Sequence, residues 1–251
     1  LGHVLDRRPA TLPFADLRRM ELAKTIARDP RLVLVDEPFA GLTGPEMREF
    51  SRLIEGFRAE GRAVLLVDHN VKSVAALVDR VLAMYLGEPI AEGSPDAVMR
   101  DETVRRVYLG GSIEGTHRAT PAEEEARANV EPLLSVESAR VTYGRALALD
   151  DVSLHVQPGE FVSVVGLNGA GKTTLFNAIS GLVPHSGTIR FRGESLAGRT
   201  AARIAREGVV QCPESRELFG DMSVRENLDL AGQHLPRAEC ARQLDWLLDL
   251  F

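Results

Sequence analysis

The sequence predicts an α/β fold whose core is a mostly parallel sheet, and three stretches carry that expectation. "RLVLVDEP" and "AVLLVDH" are short, unbroken apolar runs that end in acids, the pattern of strands buried on both faces. "FVSVVG" is a third such run, and it passes through a glycine-rich turn into the helical "KTTLFNAISGL". Helical stretches separate the runs, and that alternation calls for crossover connections and so for parallel pairing.

Taken in order, "MELAKTIAR" (20–28) has helical spacing and feeds "RLVLVDEP". "GPEMREFSRLIEGFRAEG" is an amphipathic helix with Pro45 near its start and Gly61 just past its end, and "AVLLVDH" follows it. A helix over 71–79 is expected next, then two strands around a Gly-Glu turn in "RVLAMYLGEPIAEG", then mostly helix in "SPDAVMRDETVRRVYLG". Residues 111–132, "GSIEGTHRATPAEEEARANVEP", are polar, broken by Gly and Pro, and without a wide apolar face, which is linker composition. From Leu133 short strands dominate: "LLSVESARVTYG", "ALALDDVSLHV", "FVSVVG" and the alternating "SGTIRFRG", whose pattern implies one wet face. "RAECARQLDWLLDLF" is again an amphipathic helix. The expected organisation is therefore 1–110, a linker over 111–132, and 133–251.

With 251 residues, 44% hydrophobic and 26% charged, the chain can bury a real core. No run approaches the roughly 18 uninterrupted apolar residues of a membrane span, and "LGHVLDRRPA" lacks the basic-then-apolar plan of a secretory signal. Neither membrane insertion nor export is expected. Cys212 and Cys240 have no metal-like spacing and are too few for a disulfide framework, so both are expected to be free thiols in a reducing compartment. A net charge of −6 with 5% aromatic residues argues against a broad nucleic-acid surface. A start at Leu1 and a stop within "WLLDLF" lead us to expect a piece of a longer reading frame.

Gly166, Gly171, Lys172 and Thr173 satisfy G-x4-G-K-[ST], and they lie between a buried strand and a helix, the context that gives the motif its meaning. The glycines of such a loop let backbone N–H groups point at phosphate oxygens, and the helix N-terminus adds its dipole. Lys172 then reaches the β/γ-phosphates, and the Thr173 hydroxyl ligates Mg²⁺. An ordinary glycine-rich turn is the plainer alternative, which the strand–loop–helix context disfavours. "GESLAGRT" and "GFRAEGRA" have similar composition but follow an alternating strand and a helix end, so both read as turns.

In "LVLVDEP", Asp36 and Glu37 fall at the C-terminal end of their strand, where open α/β sheets place ligands. Asp36 can hold Mg²⁺ through water, and Glu37 can polarise the water that attacks a γ-phosphate. A capping pair before a proline is the competing reading. His69 closes the next strand and so reaches the same sheet edge, within range of the γ-phosphate.

Together "GLNGAGKTT", "LVLVDEPFAGL" and "LLVDHN" resemble the nucleotide-binding subunits of ABC transporters. The resemblance implies a P-loop NTPase fold of ABC type: a mostly parallel core sheet, an antiparallel β-subdomain and part of a helical subdomain. It implies ATP and Mg²⁺ as ligands, with Asn168, Gly169 and Thr174 in the cradle and Tyr143 of "VTYG" stacking on adenine. A strand-end core tyrosine is the alternative for Tyr143. Leu12, Pro13, Phe14, Ala15 and Asp16 occupy the family's signature, usually Leu-Ser-Gly-Gly-Gln, with Pro13 lacking a hydroxyl and Ala15 adding a methyl. A plain loop before a helix would read the same way. "AGLT" matches the D-loop with Thr43 in place of an acid or amide, and Glu214 stands where the coupling loop usually has a metal-contacting Gln. By the same likeness the partners are transmembrane permease subunits and a second ATPase domain, at the cytoplasmic face of the membrane, with no nucleic acid and no direct insertion.

"LPF", "IAEGSPDAVMRDETVRRVYLG" and "PESRELFGDMSVRENL" resemble the paired ATPases of branched-chain amino acid importers. The acids precede the cradle in the chain, so residues 1–110 match the C-terminal half of one ATPase domain and 133–251 the N-terminal half of the next. Such a tandem piece can pack as a circular permutant of one domain, with Leu1 near Phe251 and "LPFAD" exposed to a second molecule. Competing classes are a soluble ABC ATPase acting on ribosomes or DNA, and a module that binds ATP without useful turnover.

Overall fold

Alternate residues of the buried strands enter two different cores, and this division organises the molecule. The computed structural model describes residues 1–69, 74–109, 131–214 and 217–251. Most of the expected linker, and the first part of the expected 71–79 helix, therefore lie outside the described residues. Strands β1 (Leu32–Asp36), β2 (Ala63–Asp68), β3 (Arg80–Tyr85), β4 (Glu88–Gly93), β7 (Phe161–Gly166) and β10 (Val209–Cys212) form one sheet in the order β10-β1-β2-β7-β3-β4. Its pairs are parallel except β3 with β4. Val33 and Val35 face one core while Leu32 and Leu34 face the other, and β2 and β7 divide in the same way. Two-sided burial is why these strands read as unbroken apolar runs.

One core is closed by α1 (Phe14–Ile26), α2 (Gly44–Ala59), α7 (Val224–Gly232) and α8 (Arg237–Leu250). Between α2 and α7 come α3 (Pro95–Arg100), α4 (Glu102–Val104), α5 (Lys172–Ile179) and α6 (Ala201–Arg206). The other core lies between α5 and an antiparallel sheet ordered β6-β5-β8-β9, built from β5 (Leu134–Tyr143), β6 (Ala146–Val156), β8 (Ser186–Phe191) and β9 (Glu194–Ser195). In β5 and β8 buried and exposed positions alternate along much of the strand, as expected for a sheet with one wet face.

The two sequence halves interleave. β7, from the second half, sits between β2 and β3 from the first, and β10 pairs with β1. Polar contacts fasten the seam: Arg80 Nε to Glu160 Oε1 at 3.0 Å, Phe161 N–H to Asp79 Oδ2 at 2.9 Å, and Gln243 Nε2 to Ile26 O at 2.8 Å. The Leu1 ammonium donates to Phe251 O at 2.7 Å. This is the arrangement expected of a circular permutant.

Two boundaries differ from the sequence reading. α1 begins at Phe14, not near Met20, because Pro13 O accepts the Leu17 N–H at 3.0 Å and Asp16 supplies first-turn acidity. The β3–β4 turn is Leu86-Gly87, not Gly-Glu: Leu86 takes a left-handed φ of 49° beside Gly87 at 90°, and Glu88 already belongs to β4.

Glu160 is 4% exposed and ion-paired to Arg80, so removing the partner strands a buried carboxylate. Arg80→Ala is expected to cost about 3 kcal/mol, read as a lower urea midpoint; a loss under about 1 kcal/mol would show that the pair is solvated.

Candidate functional site

The end of β7 delivers the chain to a loop over 167–171, and the loop turns into α5 through Gly171, which has a left-handed φ of 93°. Only glycine fits there: a Cβ would stand 2.6 Å from Ala148 O. A Cβ at Gly166 would likewise meet Ala170 Cβ at 2.8 Å. The Lys172 side chain is 6% exposed, and its Nζ donates to Gly166 O at 2.9 Å with Leu167 O at 3.3 Å.

Across the cavity, β1 ends in Asp36, and Glu37 follows with a left-handed φ of 43°. Its N–H still donates to Val67 O at 2.9 Å, so the kink redirects the side chain while the backbone stays on the sheet. Glu37 Oε1 comes within 3.9 Å of Lys172 Nζ, and His69 Nδ1 within 3.5 Å of Glu37 Oε2. Thr173 Oγ1 donates to Asp36 Oδ2 at 3.0 Å. Glu37, Asn168, Lys172, Thr173, Thr174 and Glu214 share the walls of a cavity of about 320 Å³. The acids of the first half and the cradle of the second thus meet, as the sequence reading expects.

Not every expected residue joins them. Leu12 and Asp16 of the signature are buried, Asp16 against Arg19 at 2.6 Å, leaving Pro13 and Phe14 outward and Ala15 partly covered. The stretch therefore does not present all five residues to a second molecule: α1, begun at Phe14, turns Asp16 inward, and Leu12 is buried in the core just ahead of the helix. Phe14 instead packs on the loop after Glu37, where a Cβ at Gly41 would meet its ring at 3.0 Å. Tyr143 is 50% exposed at the end of β5, while Ala148, from the strand after it, lines the cavity. Ala148 has no chemical signature in the sequence and was missed. Gly87 was also missed; its N–H donates to Ala170 O at 3.2 Å and its carbonyl accepts from Asp150 N–H at 2.9 Å.

Burial pushes the Asp36 carboxyl up to about 6; the Thr173 hydroxyl opposes this, and the charges of Glu37 and Glu214 add to it. Asp36 Oδ1 is buried and has no partner in the protein. An orphaned carboxylate oxygen beside a threonine hydroxyl is an all-oxygen donor set of the kind Mg²⁺ takes. Among the described residues no cluster of three His, Cys, Asp or Glu could hold a metal by protein ligands alone. Both cysteines are free, and burial pushes the Cys212 thiol up to about 12.

Comparison with known proteins bears on this geometry. Residues 149–251 match the ABC transporter family, and residues 88–114 match the branched-chain amino acid ATP-binding cassette transporter family. The chain belongs to the ABC transporter ATP-binding family. Among ABC relatives, the ribose import ATP-binding protein RbsA 1 of Rubrobacter xylanophilus is 37% identical over 231 residues, 89% of this chain and 44% of that protein. RbsA 2 of Streptomyces avermitilis is 31% identical over 264 residues, 100% of this chain and 50% of that protein. RbsA of Corynebacterium glutamicum is 31% identical over 258 residues, 96% of this chain and 47% of that protein. The chain thus spans about half the length of the curated relatives it matches. Among the described residues no helix is long and apolar enough to cross a membrane.

The raised Asp36 carboxyl fixes the sign of a pH effect. The folded chain holds this proton up to about pH 6 and the unfolded chain only to about pH 4, so the group's contribution is lost as pH rises through that window. Urea titrations at pH 4 and pH 7 should show wild-type stability falling by ~2–3 kcal/mol more than that of Asp36→Asn. Equal slopes in the two proteins would refute the assignment.

Proposed function

We propose that the chain binds Mg-ATP in the cradle and hydrolyses it to drive an ABC importer. The observation that carries this reading is the contact of Thr173 with Asp36 and of Lys172 with Glu37 across more than 130 residues of sequence, with Glu37, Lys172 and Thr173 lining one cavity. The cradle backbone and Lys172 bind the phosphates, and Thr173 with Asp36 holds the metal ion. Bound there, Mg²⁺ would supply charge neutralisation to the phosphates. Glu37 accepts a proton from the attacking water, and His69, whose Nδ1 lies 3.5 Å from that carboxylate, orients it toward the γ-phosphate. Tyr143 serves adenine, and Glu214 senses the metal side of the cavity.

Residues 1–110 and 133–251 are assigned to consecutive ATPase domains of a longer chain. The order of acids before cradle supports this, as do relatives aligned over 96% and 100% of the chain but only about half of their own length. The permease subunits are assigned to the face where Lys24, Arg28, Leu218 and half-exposed Phe219 line a cavity of about 370 Å³ beside the loop after β10. The protein then acts at the cytoplasmic face of the membrane, with a second ATPase domain completing the site.

Branched-chain amino acids are the proposed cargo, on the strength of the match over 88–114. Ribose is the second reading, favoured by the names of the long-aligned relatives. Uptake of labelled leucine, but not ribose, by vesicles carrying the assembled transporter is the expected result; ribose uptake alone would reverse the choice. Binding without useful turnover is a further alternative, supported by the inward turn of Leu12 and Asp16.

Lys172→Ala is expected to abolish most ATP affinity in calorimetric titration, because the phosphates lose their cation; unchanged binding would remove the basis of the reading. Glu37→Gln should bind ATP as the wild type does and release phosphate about 10²–10⁴-fold more slowly, the usual worth of a positioned general base. A wild-type rate would show that another group activates the water.

A further inference from the structure

The back of the cradle is built by a residue that no phosphate motif contains. Tyr108 lies on a π-helical turn, Arg105–Leu109, a local geometry often found at functional sites. Its hydroxyl donates to Met84 O at the end of β3, and Val165 O at the end of β7 is 3.3 Å away. Met84 pairs with Gly166 in the ladder, and Met84 O would lie 3.1 Å from a Cβ on Gly166. Gly166 O is in turn the nearer acceptor of the Lys172 ammonium. A short path therefore joins the Tyr108 hydroxyl to the Lys172 ammonium of the cradle.

The neighbouring turn leads to the same place. The β3–β4 pairing shifts register between Ala83 and Met84, and the hairpin then closes at Leu86-Gly87. Gly87 touches the cradle through its bond to Ala170 O, and β6 through its bond from Asp150. The end of this hairpin thus forms the wall behind the phosphate loop, and Tyr108 ties it to β7. Burial pushes the phenol up to about 12, against opposing backbone hydrogen bonds of Leu167 and Met84, so the hydroxyl stays a donor across the physiological range. The ring packs against the core, a task phenylalanine would perform equally well; only the hydroxyl needs a further explanation.

We propose that Tyr108 is a positioning residue of the phosphate cradle, its hydroxyl fixing the ends of β3 and β7 and hence the placement of Gly166 and the Lys172 ammonium. This rests on the ATP-binding reading. It adds a requirement that the first sequence half supplies the cradle's support as well as its acids.

The test compares ATP with AMP, which lacks the β- and γ-phosphates, in wild type, Tyr108→Phe and Gly87→Ala. Tyr108→Phe should weaken ATP binding about fivefold, the worth of one hydrogen bond, and leave AMP competition unchanged. Gly87→Ala should give the same split, since its Cβ would stand 2.9 Å from Ala148 O at a φ of 90° and push the hairpin from the loop. Ser51→Ala, which removes the bond from Ser51 Oγ to Met47 O in α2, controls for stability loss alone and should leave ATP affinity intact. ATP affinity of Tyr108→Phe within twofold of wild type overturns the proposal. So does an equal loss for ATP and AMP, which would mark a general effect on folding. A wild-type chain that binds no ATP overturns the functional reading along with it, whereas failure of Tyr108 alone leaves wild-type binding and its loss in Lys172→Ala in place.

Discussion

The rest of the molecule depends on the insertion of β7 between β2 and β3. β7 is buried at every position, so its N–H and C=O groups need strand partners on both sides, away from water. Both come from the other half of the chain. That constraint brings Gly166 to the same sheet edge as Asp36 and Asp68, and the candidate site follows from the register: Val67 pairs with Val164 and with Asp36 on its two sides. The polar seam of Arg80, Glu160 and Asp79 then secures an arrangement that the strand ladder has already set.

Strands and cradle were legible in the sequence because their physics is local. Two-faced burial leaves unbroken apolar runs such as "LVLV", and a phosphate loop needs glycine wherever a Cβ would strike a neighbouring carbonyl, as at Gly171. The union of the two halves could also be foreseen, since neither set of apolar strands has enough partners alone. What could not be read depends on contacts between distant segments. Ala148 enters the cavity wall because β6 passes beside Gly171, and nothing about an alanine announces that. The Leu86-Gly87 turn was misplaced by one residue because leucine is a poor occupant of the left-handed region, and packing of Gly87 on the cradle overrides that preference.

The signature stretch shows a different limit. Its position was found by likeness, but the likeness carried no information on where α1 begins. Proline ahead of the helix and an acid in its first turn start α1 at Phe14, and the helical period then buries Asp16 beside Arg19. Likewise Tyr143 stands at the tip expected of a stacking aromatic, yet the described cavity is lined by Ala148 of the adjacent strand β6.

The left-handed backbone at Glu37 has a consequence for how this site can change over time. A non-glycine residue in that region is strained by roughly 1–2 kcal/mol, and glycine would sit there at ease. Local conformational energy and carboxylate chemistry therefore favour different residues at one position. A lineage that retained the fold but no longer needed the carboxylate would gain stability by exchanging it, so this codon should be among the first to drift.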